Sequence, residues 1–388
     1  MNIGVIGGGI AGAAAAFELA RHGLCPTVFH DTAGSSALYS GALDLEPWDR
    51  VGAATPLAAE LVQFSNELGV WALSDAPRRV ATLEGNVRQA RGTDRALLDL
   101  EACAGRRVAV VDVERDDWDA PLLAKSFAAS KWAQESQTEF IAVPVPLLQN
   151  GFERRISGYD FAALHDDPDR AQALLNALRE SPITPDAWLF GPWLGVGRPV
   201  ARVLSQALGV QVGETTSALG GSAGARFEAA RDHLFERIAR VERRRVIAMQ
   251  ALGRGLRLEF PGLGIRDLDA VVLATGGVAA GGVALERSFE RRGGTGFRLS
   301  LVAPIALELD GEVLEGVSSL SGIDFVDRGL EALLRVGVSA GADGAVRANP
   351  GVFAAGDALA GRPRTALVAA LSGLVAARSA LDYVRRPG

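Results

Sequence analysis

Three glycines near the amino end, Gly7, Gly9 and Gly12, have the spacing of a phosphate-binding turn. They directly follow an apolar run, Ile3 to Ile6, which predicts a buried strand. In such a turn the first glycine permits a tight reversal, the second lets a diphosphate approach the backbone, and the third lets a helix pack closely on the strand. The pattern therefore predicts a site for a dinucleotide.

The elements that must position these glycines are a strand, a tight turn and the start of a helix. Ala16 and Leu19 continue the packing face of that helix, and Gly23 can end it. Unpaired backbone N–H groups at the helix start, around Ile10 and Ala11, point at the turn together with the helix dipole. A structural glycine turn is the alternative, but the strand before it and the helix after it favour a nucleotide site.

The end of the second predicted strand, Pro26 to Phe29, departs from the usual dinucleotide pattern. An acidic residue at this position normally binds the adenosine ribose hydroxyls. Here the position holds His30, with Asp31 one residue later. We expect Asp31 to substitute through a shift of one residue, while His30 alone can equally be a polar residue at a strand end.

A second motif lies near the other end of the chain, where Asn349 to Asp357 forms a short apolar strand that ends in Gly356-Asp357. A long predicted helix, Thr365 to Tyr383, follows it. This arrangement resembles the second fingerprint of FAD-dependent oxidoreductases. The resemblance implies that the Asp357 carboxylate accepts a hydrogen bond from the ribityl chain. The helix start at Thr365 and Ala366 would then stabilise negative charge on the reduced flavin.

A further apolar strand, Leu268 to Leu273, ends in Ala274-Thr275-Gly276-Gly277. In flavoproteins with two dinucleotide fingerprints, this ending is where the chain approaches the cofactor again. We therefore include Ala274, Thr275 and Gly276 among the candidate cofactor-binding residues.

Composition limits the classes of function. The 388 residues are 48% apolar and carry a net charge of -6, which argues against a nucleic-acid partner. No run approaches the ~18 uninterrupted apolar residues that a membrane span needs, and we expect a cytoplasmic protein without a secretion signal. The two cysteines, Cys25 and Cys103, have no metal-ligand spacing, so this chain alone cannot build a four-thiolate iron–sulfur cluster.

The segment from Ser35 to Leu45 is similar to the Ser-Ala-Leu-x-x-Ser-Gly-x-Leu-Asp-Leu run of the B-type subunit of the anaerobic glycerol-3-phosphate dehydrogenase, a flavoprotein family. The segment at Gly281 to Arg287 resembles the Gly-Gly-x-x-x-Glu-Arg segment of the same family. The resemblance implies that Ser40 and Gly41 lie at the cofactor. It also implies a separate FAD subunit and an iron–sulfur membrane-anchor subunit as partners, which would hold the chain peripherally at the inner membrane.

The resemblance implies FMN as the cofactor, whereas the turn at Gly7, Gly9 and Gly12 is shaped for a diphosphate, which FAD has and FMN lacks. We therefore expect FAD, with FMN as the alternative; the missing acid at the second strand end is the argument against FAD. The glycine-rich stretch that relatives carry after the second motif is replaced here by the segment from Arg362 to Ala366.

Candidate substrate ligands are arginines, because a guanidinium group binds phosphate or carboxylate through paired N–H bonds. Arg287, Arg298 and Arg364 lie in or near the predicted site segments, although each can also be a surface arginine in an arginine-rich chain. No catalytic base is apparent, since His30 belongs to the adenosine side. That absence favours electron relay over primary substrate oxidation.

The predicted fold class is α/β, with a Rossmann-like domain of the two-fingerprint flavoprotein type. This domain is discontinuous and comprises residues 1–46, 221–283 and 341–388. Strand-like runs alternate with helical patterns from residue 105 to 220, which indicates βαβ units and a parallel sheet. We assign residues 47–220 to an inserted α/β domain, with helix and loop patterns up to 104, and residues 284–340 to a small cap.

Three functions remain open at this point. The first is an electron-transferring flavoprotein subunit of a glycerol-3-phosphate dehydrogenase that delivers electrons toward quinone. The second is a self-sufficient flavin dehydrogenase or oxidase of another small hydroxy or amino acid. The third is a scaffold subunit that keeps the fold but binds no flavin.

Overall fold

The computed structural model describes residues 1–46, 56–287, 295–314, 332–347 and 349–386. The helices are α1 (Ile10–Arg21), α2 (Ala59–Leu68), α3 (Ala120–Ala128), α4 (Lys131–Ser136), α5 (Gly158–Leu164), α6 (Pro168–Arg179), α7 (Val200–Leu208), α8 (Ser222–Ile238), α9 (Ala332–Arg335) and α10 (Ala366–Arg385). The strands are β1 (Ile3–Ile6), β2 (Thr27–Phe29), β3 (Ala42–Leu43), β4 (Trp71–Ala81), β5 (Val87–Asp94), β6 (Arg107–Asp112), β7 (Glu139–Pro144), β8 (Ala187–Phe190), β9 (Gln211–Glu214), β10 (Arg240–Glu242), β11 (Ala248–Leu252), β12 (Gly255–Phe260), β13 (Gly264–Leu268), β14 (Ala270–Leu273), β15 (Val283–Arg287), β16 (Thr295–Leu299), β17 (Leu307–Leu309), β18 (Glu312–Val313), β19 (Gly337–Val338) and β20 (Val352–Ala354).

A five-stranded parallel sheet with the order β10-β2-β1-β14-β20 organises the two ends of the chain. In chain order these strands read third, second, first, fourth and fifth, which is the doubly wound order of a Rossmann-like domain. The order reverses between β1 and β14, where Val5 pairs with Val272. Ligands of such sheets bind outside the carboxyl ends of the strands at this reversal. The predicted α/β fold class with a Rossmann-like domain is confirmed.

Alternate residues along each strand of the sheet pack into two different cores, because successive side chains of a strand point to opposite faces. Val5, Val28 and Val272 pack into the core shared with α1, α8 and α10. Ile6 and Leu273 point to the opposite face, where they pack with apolar residues of β11, β12 and β13. The sheet therefore lies between a helical layer and an antiparallel β layer, and the loops at its carboxyl edge are held from both sides.

Helices α1 and α10 approach each other closely at a glycine. A Cβ atom added to Gly373 would lie 2.2 Å from the backbone oxygen of Ala11 and 3.1 Å from the Cβ of Ala14. The packing that aligns the first turn of α1 with the second fingerprint therefore needs glycine at position 373.

We predict that Gly373→Ala destabilises the protein by about 1–3 kcal/mol, because the extra methyl group overpacks a backbone contact that cannot yield. Gly151→Ala is the matched control, since a Cβ there meets no atom within 4 Å. Urea unfolding of the two variants measures the difference. Equal midpoints would show that the helix pair adjusts freely.

The inserted domain is built on a second parallel sheet, with the order β7-β6-β8-β9. Three of these strands lie within runs predicted from the sequence, and β7 begins one residue before its predicted run. The predicted runs are Arg107–Val113, Phe140–Val145, Ala187–Trp193 and Val210–Glu214, and α3, α6 and α7 begin where helical patterns were predicted, near Ala120, Pro168 and Val200. Its own core contains Trp118, Phe127, Phe161 and Trp193.

The prediction of helix and loop for residues 47–104 is wrong for its second half. Strands β4 and β5 form a long antiparallel hairpin, and β5 also pairs with β3. Arginines on the hairpin obscured the strand pattern: Arg91 is 1% exposed and donates to the Asp75 backbone oxygen at 2.7 Å. From the sequence alone, an arginine that is buried and hydrogen-bonded inside the protein cannot be told from a surface arginine.

Helix α2 also lies outside the inserted core. Leu61, Phe64 and Leu68 pack with Phe17 and Trp71 in the helical layer of the first domain. The sequence-based division placed these residues in the insert, whereas the structure places them against α1.

The described part of the predicted cap, 284–340, consists of the β15–β16 hairpin, a small sheet of β17, β18 and β19, and the short helix α9. Val283, Phe297, Leu307 and Val338 share one apolar core with Ile6 of the central sheet. These strands thus extend the β layer that faces the sheet.

Helix α10 has a mean hydropathy of 1.4 over an 18-residue window, so its length and composition alone would allow a membrane span. In the structure Leu367, Leu374 and Leu381 are buried in the helical layer. Arg378 pairs with the buried Glu18 of α1, with 2.6 Å between Nε and Oε1. The helix thus serves as a core helix of the Rossmann-like domain.

Candidate functional site

A cavity of about 1110 Å³ opens at the carboxyl edge of the central sheet. Both glycine motifs contribute to its wall, although they are separated by more than three hundred residues of sequence. The predicted site residues that line it are Gly7, Gly9, Ile10, Ala11, Asp31, Ser40, Ala274, Thr275, Gly276, Gly356, Asp357, Arg364, Thr365 and Ala366.

The first turn has the geometry that its glycines predict. Gly7 has a φ of +113°, and a Cβ there would lie 2.1 Å from the Ala274 backbone oxygen. A Cβ on Gly9 would meet only Ser36 Oγ, at 3.5 Å, so the space beside it belongs to the cavity. A Cβ on Gly12 would lie 2.0 Å from the Gly7 oxygen. Gly7 and Gly12 therefore shape the turn, while Gly9 faces the ligand space.

Two predicted cofactor-binding residues are not in the cavity wall. Gly12 is covered by the turn itself, as its contact with Gly7 shows. Gly41 has a φ of +102°, and a Cβ there would lie 2.6 Å from Leu97 Cδ1. Its oxygen accepts hydrogen bonds from the Asp94 amide at 2.6 Å and Tyr39 Oη at 3.2 Å. Both glycines are needed for close packing behind the site.

The start of α1 is open toward the cavity. Its first helical hydrogen bond runs from the Ala13 amide to the Gly9 oxygen at 2.9 Å. Gly9 is the N-cap residue, no side chain caps the helix, and its first turn carries no acidic residue. The amides of the first turn, including those of Ile10 and Ala11, therefore remain available for an anion.

The ring of His30 occupies the end of β2. A Cβ on Gly8 would lie 2.8 Å from His30 Cγ, so the ring packs over the turn. Burial, followed by the nearby Arg231 guanidinium, lowers the pKa of His30. Arg231 Nη1 donates to the Gly8 oxygen at 3.0 Å. His30 is thus a neutral ring that supports the turn, and the exposed Asp31 is the carboxylate at this end of the cavity.

Arg244 and Arg245, which follow β10, also line this end of the cavity. The Arg244 guanidinium lies over the Phe260 ring, 4.3 Å from its centroid. No sequence pattern indicated either residue. The parallel pairing of β10 with β2 is what brings them beside Asp31.

The end of β14 contributes Ala274, Thr275 and Gly276. Thr275 Oγ1 is buried and has no hydrogen-bond partner within the described ranges. Gly276 has a φ of +77°, and its oxygen would lie 2.1 Å from a Cβ on Gly282. The backbone is thus folded tightly at this point, and it leaves a hydroxyl group buried without a partner in the cavity wall.

The second motif touches the first directly. Gly356 has a φ of +65°, and a Cβ there would lie 2.7 Å from Ala11 Cβ. Its amide donates to Ser372 Oγ of α10 at 2.8 Å. Ser35 Oγ donates to Asp357 Oδ2 at 3.3 Å. The loop after β2 and the loop after β20 therefore meet across the cavity.

Burial raises the pKa of Asp357, and the guanidinium of Arg364 and the Ser35 hydrogen bond oppose that rise. The nearest atoms of the charged pair, Arg364 Nη1 and Asp357 Oδ1, are 4.0 Å apart. Asp357 is consequently held at the cavity wall with acceptor capacity left over.

The start of α10 closes the same end of the cavity. Thr365 is the N-cap residue, and its Oγ1 accepts from the Val368 amide at 3.4 Å. The Leu367 amide donates to the Asp44 backbone oxygen at 3.3 Å. This places the segment at Asp44 beside the positive end of the α10 dipole.

The three predicted substrate arginines differ in their positions and contacts. Arg364 lines the cavity, but its guanidinium donates to the backbone oxygens of Leu334 and Val336, each at 2.7 Å, and to that of Asp357. Arg364 therefore anchors the loop before α10. Arg298 is not among the cavity-lining residues and donates to the Leu299 oxygen at 3.4 Å. The side chain of Arg287 lies outside the described residues.

An ion pair at the cavity was also not predicted from the sequence. Asp44 and Arg88 both line it, and Arg88 Nη1 lies 2.8 Å from Asp44 Oδ2. Asp44 belongs to the Ser35–Leu45 run, which offered a signal. Arg88 lies on the unpredicted strand β5, so nothing in the sequence linked it to this site.

No protein-family model and no curated protein matches the chain. Among solved structures, it is similar to the GidA-related protein from Thermus thermophilus, with 11% identity, a TM-score of 0.34 and 98% of each chain covered. It is similar to glycine oxidase from Geobacillus kaustophilus, with 14% identity, a TM-score of 0.35, and 100% of this chain and 95% of that chain covered. It is also similar to the atypical thioredoxin reductase TRi from Desulfovibrio vulgaris Hildenborough, with 14% identity, a TM-score of 0.22, and 99% and 98% covered. These likenesses are distant, and the Rossmann-like assignment rests on the strand order of the central sheet.

Proposed function

We propose that this protein is a flavin-dependent oxidoreductase that binds FAD in the cavity between its two glycine motifs. The observation that carries the proposal is the direct contact of the two turns at Ala11 and Gly356, with one cavity open to both. A nicotinamide dehydrogenase would use the first turn and would have no use for the second. The strand order of the central sheet adds support, because it places the first turn at the reversal point where nucleotides bind, with the second turn one strand away at the same edge of the sheet.

The residues present fit a dinucleotide. The space beside Gly9 and the amides at the start of α1 suit a diphosphate. Ser36 Oγ and Thr275 Oγ1 are buried without partners in the described structure, and both residues line the cavity. Buried hydroxyl groups normally have a hydrogen-bond partner, so a ligand is expected to supply one.

The same cavity favours FAD over FMN. It reaches His30, Asp31 and Arg245 beyond the turn as well as Asp357 and Thr365 on the other side. FMN would leave the part around Asp31 empty, because it lacks the adenosine half.

When bound, the flavin would supply acceptance of two electrons from an organic substrate, and the protein would supply orientation and electrostatics. The start of α10 places a positive dipole end at Thr365 and Ala366, which favours negative charge in the cavity. Asp357 would accept a hydrogen bond from a hydroxyl group of the ligand. The backbone amides of the first turn and the Ser36 hydroxyl would bind the diphosphate of FAD.

At a finer level, we propose a B-type subunit of an anaerobic glycerol-3-phosphate dehydrogenase, acting with a separate FAD subunit and an iron–sulfur subunit at the inner membrane. The support for this is the similarity of the Ser35–Leu45 run and of the Gly281–Arg287 segment to that family. The count of two cysteines agrees with electron transfer through a partner's cluster.

The visible spectrum of the purified protein tests the coarser proposal, and its bleaching under anaerobic conditions tests the finer one. We expect flavin absorption bands that bleach with sn-glycerol 3-phosphate once the partner subunits are present. A colourless protein that does not take up added FAD would refute the flavin proposal. Bleaching by a 2-hydroxy acid instead would refute the glycerol-3-phosphate assignment alone.

Ser36→Ala gives a prediction for the unpartnered hydroxyl. We expect roughly 3- to 10-fold weaker FAD binding, since one neutral hydrogen bond to the ligand is lost, with stability of the unliganded protein unchanged or higher. Ser217→Ala is the matched control, because Ser217 Oγ is equally buried and unpartnered in the described structure but does not line the cavity. Fluorescence titration of each apoprotein with FAD measures the affinity. Equal loss in both variants would mean that Ser36 does not contact the cofactor.

A further inference from the structure

Asp44 and Arg88 form an ion pair in the wall of the cavity, outside the two glycine motifs. Arg88 Nη1 lies 2.8 Å from Asp44 Oδ2, and Arg88 also donates to the Gln89 backbone oxygen at 2.9 Å. The Asp44 residue is 7% exposed. The cavity therefore holds a donor and an acceptor side by side, on elements that the glycine motifs do not include.

One oxygen of this carboxylate is left over. Asp44 Oδ1 is buried and lacks a hydrogen-bond partner among the residues that the structure describes. Burial raises the pKa of Asp44. The Arg88 guanidinium opposes that rise, as does, more weakly, a backbone hydrogen bond from Arg91 to the carboxylate. A buried acceptor without a donor costs free energy, so its presence in a cavity wall indicates a ligand that donates to it.

The pair lies at the end of the cavity where α10 begins. The Asp44 backbone oxygen accepts from the Leu367 amide, and Thr365 and Ala366 line the same space. This is the end away from His30 and Asp31, so the pair faces the part of the cavity in which the proposed flavin would have its reactive ring. Arg364, by contrast, donates its guanidinium N–H groups to backbone oxygens.

We propose that Asp44 and Arg88 bind the substrate, a small hydroxyl-bearing anion whose O–H donates to Asp44 Oδ1 while a neighbouring anionic oxygen accepts from Arg88. This inference rests on the proposed function, because it takes the flavin ring to lie beside the pair. The chemical class includes sn-glycerol 3-phosphate and 2-hydroxy acids, which share a hydroxyl group near an anionic group. Arginine suits the anionic group because its N–H donors point in a fixed fork.

The test compares ligands with and without the hydroxyl group on the flavin-loaded protein. The flavin is reduced beforehand with dithionite, so that binding is measured by calorimetry without oxidation of the ligand. One pair of probes is sn-glycerol 3-phosphate and 3-hydroxypropyl phosphate, which lacks the C2 hydroxyl. The other pair is L-lactate and propionate. The pair whose hydroxyl strengthens binding identifies the anionic group.

In the wild-type protein we expect the hydroxyl to strengthen binding of one pair by roughly 10- to 100-fold, the usual range for a hydrogen bond to a charged group. In Asp44→Asn the acceptor loses its charge but keeps an amide group, so that advantage should fall at least about threefold below its wild-type value, toward the scale of one neutral hydrogen bond, as a double-mutant cycle requires when the two groups interact. An unchanged advantage in Asp44→Asn would overturn the proposal, as would a wild-type protein that binds flavin but none of the four probes.

Glu153→Gln is the matched control. Glu153 is 1% exposed and pairs with Arg170 at 3.0 Å, but it lies away from the cavity. It should lose stability in a similar way and keep the full hydroxyl advantage. If Asp44→Asn proves insoluble, Arg88→Lys replaces it, and the expected result is weaker binding of both members of the recognised pair. Flavin content separates the two failures: a protein without flavin refutes the proposed function, whereas a flavin-loaded protein without hydroxyl recognition refutes this inference alone.

Discussion

Gly9→Val is expected to yield a folded, soluble protein that has lost its flavin. Gly9 has a φ of -75° and a ψ of -167°, an extended conformation that valine adopts readily. The nearest atom to a Cβ there is Ser36 Oγ at 3.5 Å, so the protein itself has room for a Cβ at this position. The valine would occupy the space proposed for the diphosphate. We predict at least a roughly 100-fold loss of FAD affinity, the scale of a clash that costs about 3 kcal/mol, with stability changed by less than about 1 kcal/mol.

Gly151→Val is the matched control for this prediction. Gly151 also lacks a positive φ, and a Cβ there meets nothing within 4 Å, but it lies in the insert and away from the cavity. It should keep the flavin content of the wild type. Full flavin content in Gly9→Val, measured by absorbance per mole of protein, would place the cofactor elsewhere.

Arg226→Met is expected to destabilise the protein by roughly 3–5 kcal/mol, the usual cost of removing one partner from a buried ionic cluster. Arg226 of α8 contacts Asp94 at 3.1 Å and Glu214 at 2.7 Å, with side-chain exposures of 7%, 2% and 0%. It also donates to the Gly195 oxygen at 2.7 Å. This cluster joins the first domain to the insert. Burial raises the pKa of the Glu214 carboxyl to about 7, and Arg226 opposes that rise.

Without Arg226, Glu214 should take up a proton at neutral pH, and the junction should loosen before either domain unfolds. Arg237→Met is the matched control on the same helix, since Arg237 is 55% exposed and pairs with Glu67 at 2.6 Å. Exposed pairs contribute about 0–1 kcal/mol, so this variant should unfold like the wild type. Thermal unfolding followed by circular dichroism compares them. Similar midpoints for the two variants would contradict the role given to the cluster.

The glycine turns that line the end of the cavity proposed for the cofactor were predictable, because they depend on backbone conformation. The turns at Gly7, Gly9 and Gly356 need glycine, which few other positions require. The strand before each turn and the helix after it make the pattern specific. The parallel strands of the insert were predictable for a similar reason, since buried parallel strands read as continuous apolar runs. The Asp44–Arg88 pair, which we propose binds the substrate, was not predictable, because its side chains lie on elements far apart in sequence. Arg88 reaches Asp44 only through the pairing of β5 with β3.

Two of the predicted site residues make contacts that the sequence does not show. Arg364 looked like an anion ligand because its type and position were suitable, yet folding directs its N–H groups to backbone oxygens. Gly41 was predicted at the cofactor because the resemblance implies it, whereas in the structure its left-handed φ serves packing against Leu97. Sequence shows which residue type stands at a position, whereas the partner of that residue is decided by the fold.

The central claim is that both glycine turns hold one dinucleotide flavin, and the mass of the molecule released by heating the protein tests it most directly. We predict release of FAD, whose adenosine half would fill the part of the cavity lined by Asp31 and Arg245. Release of FMN, which is smaller by an AMP unit, or release of no flavin from a protein supplied with FAD, would contradict the account.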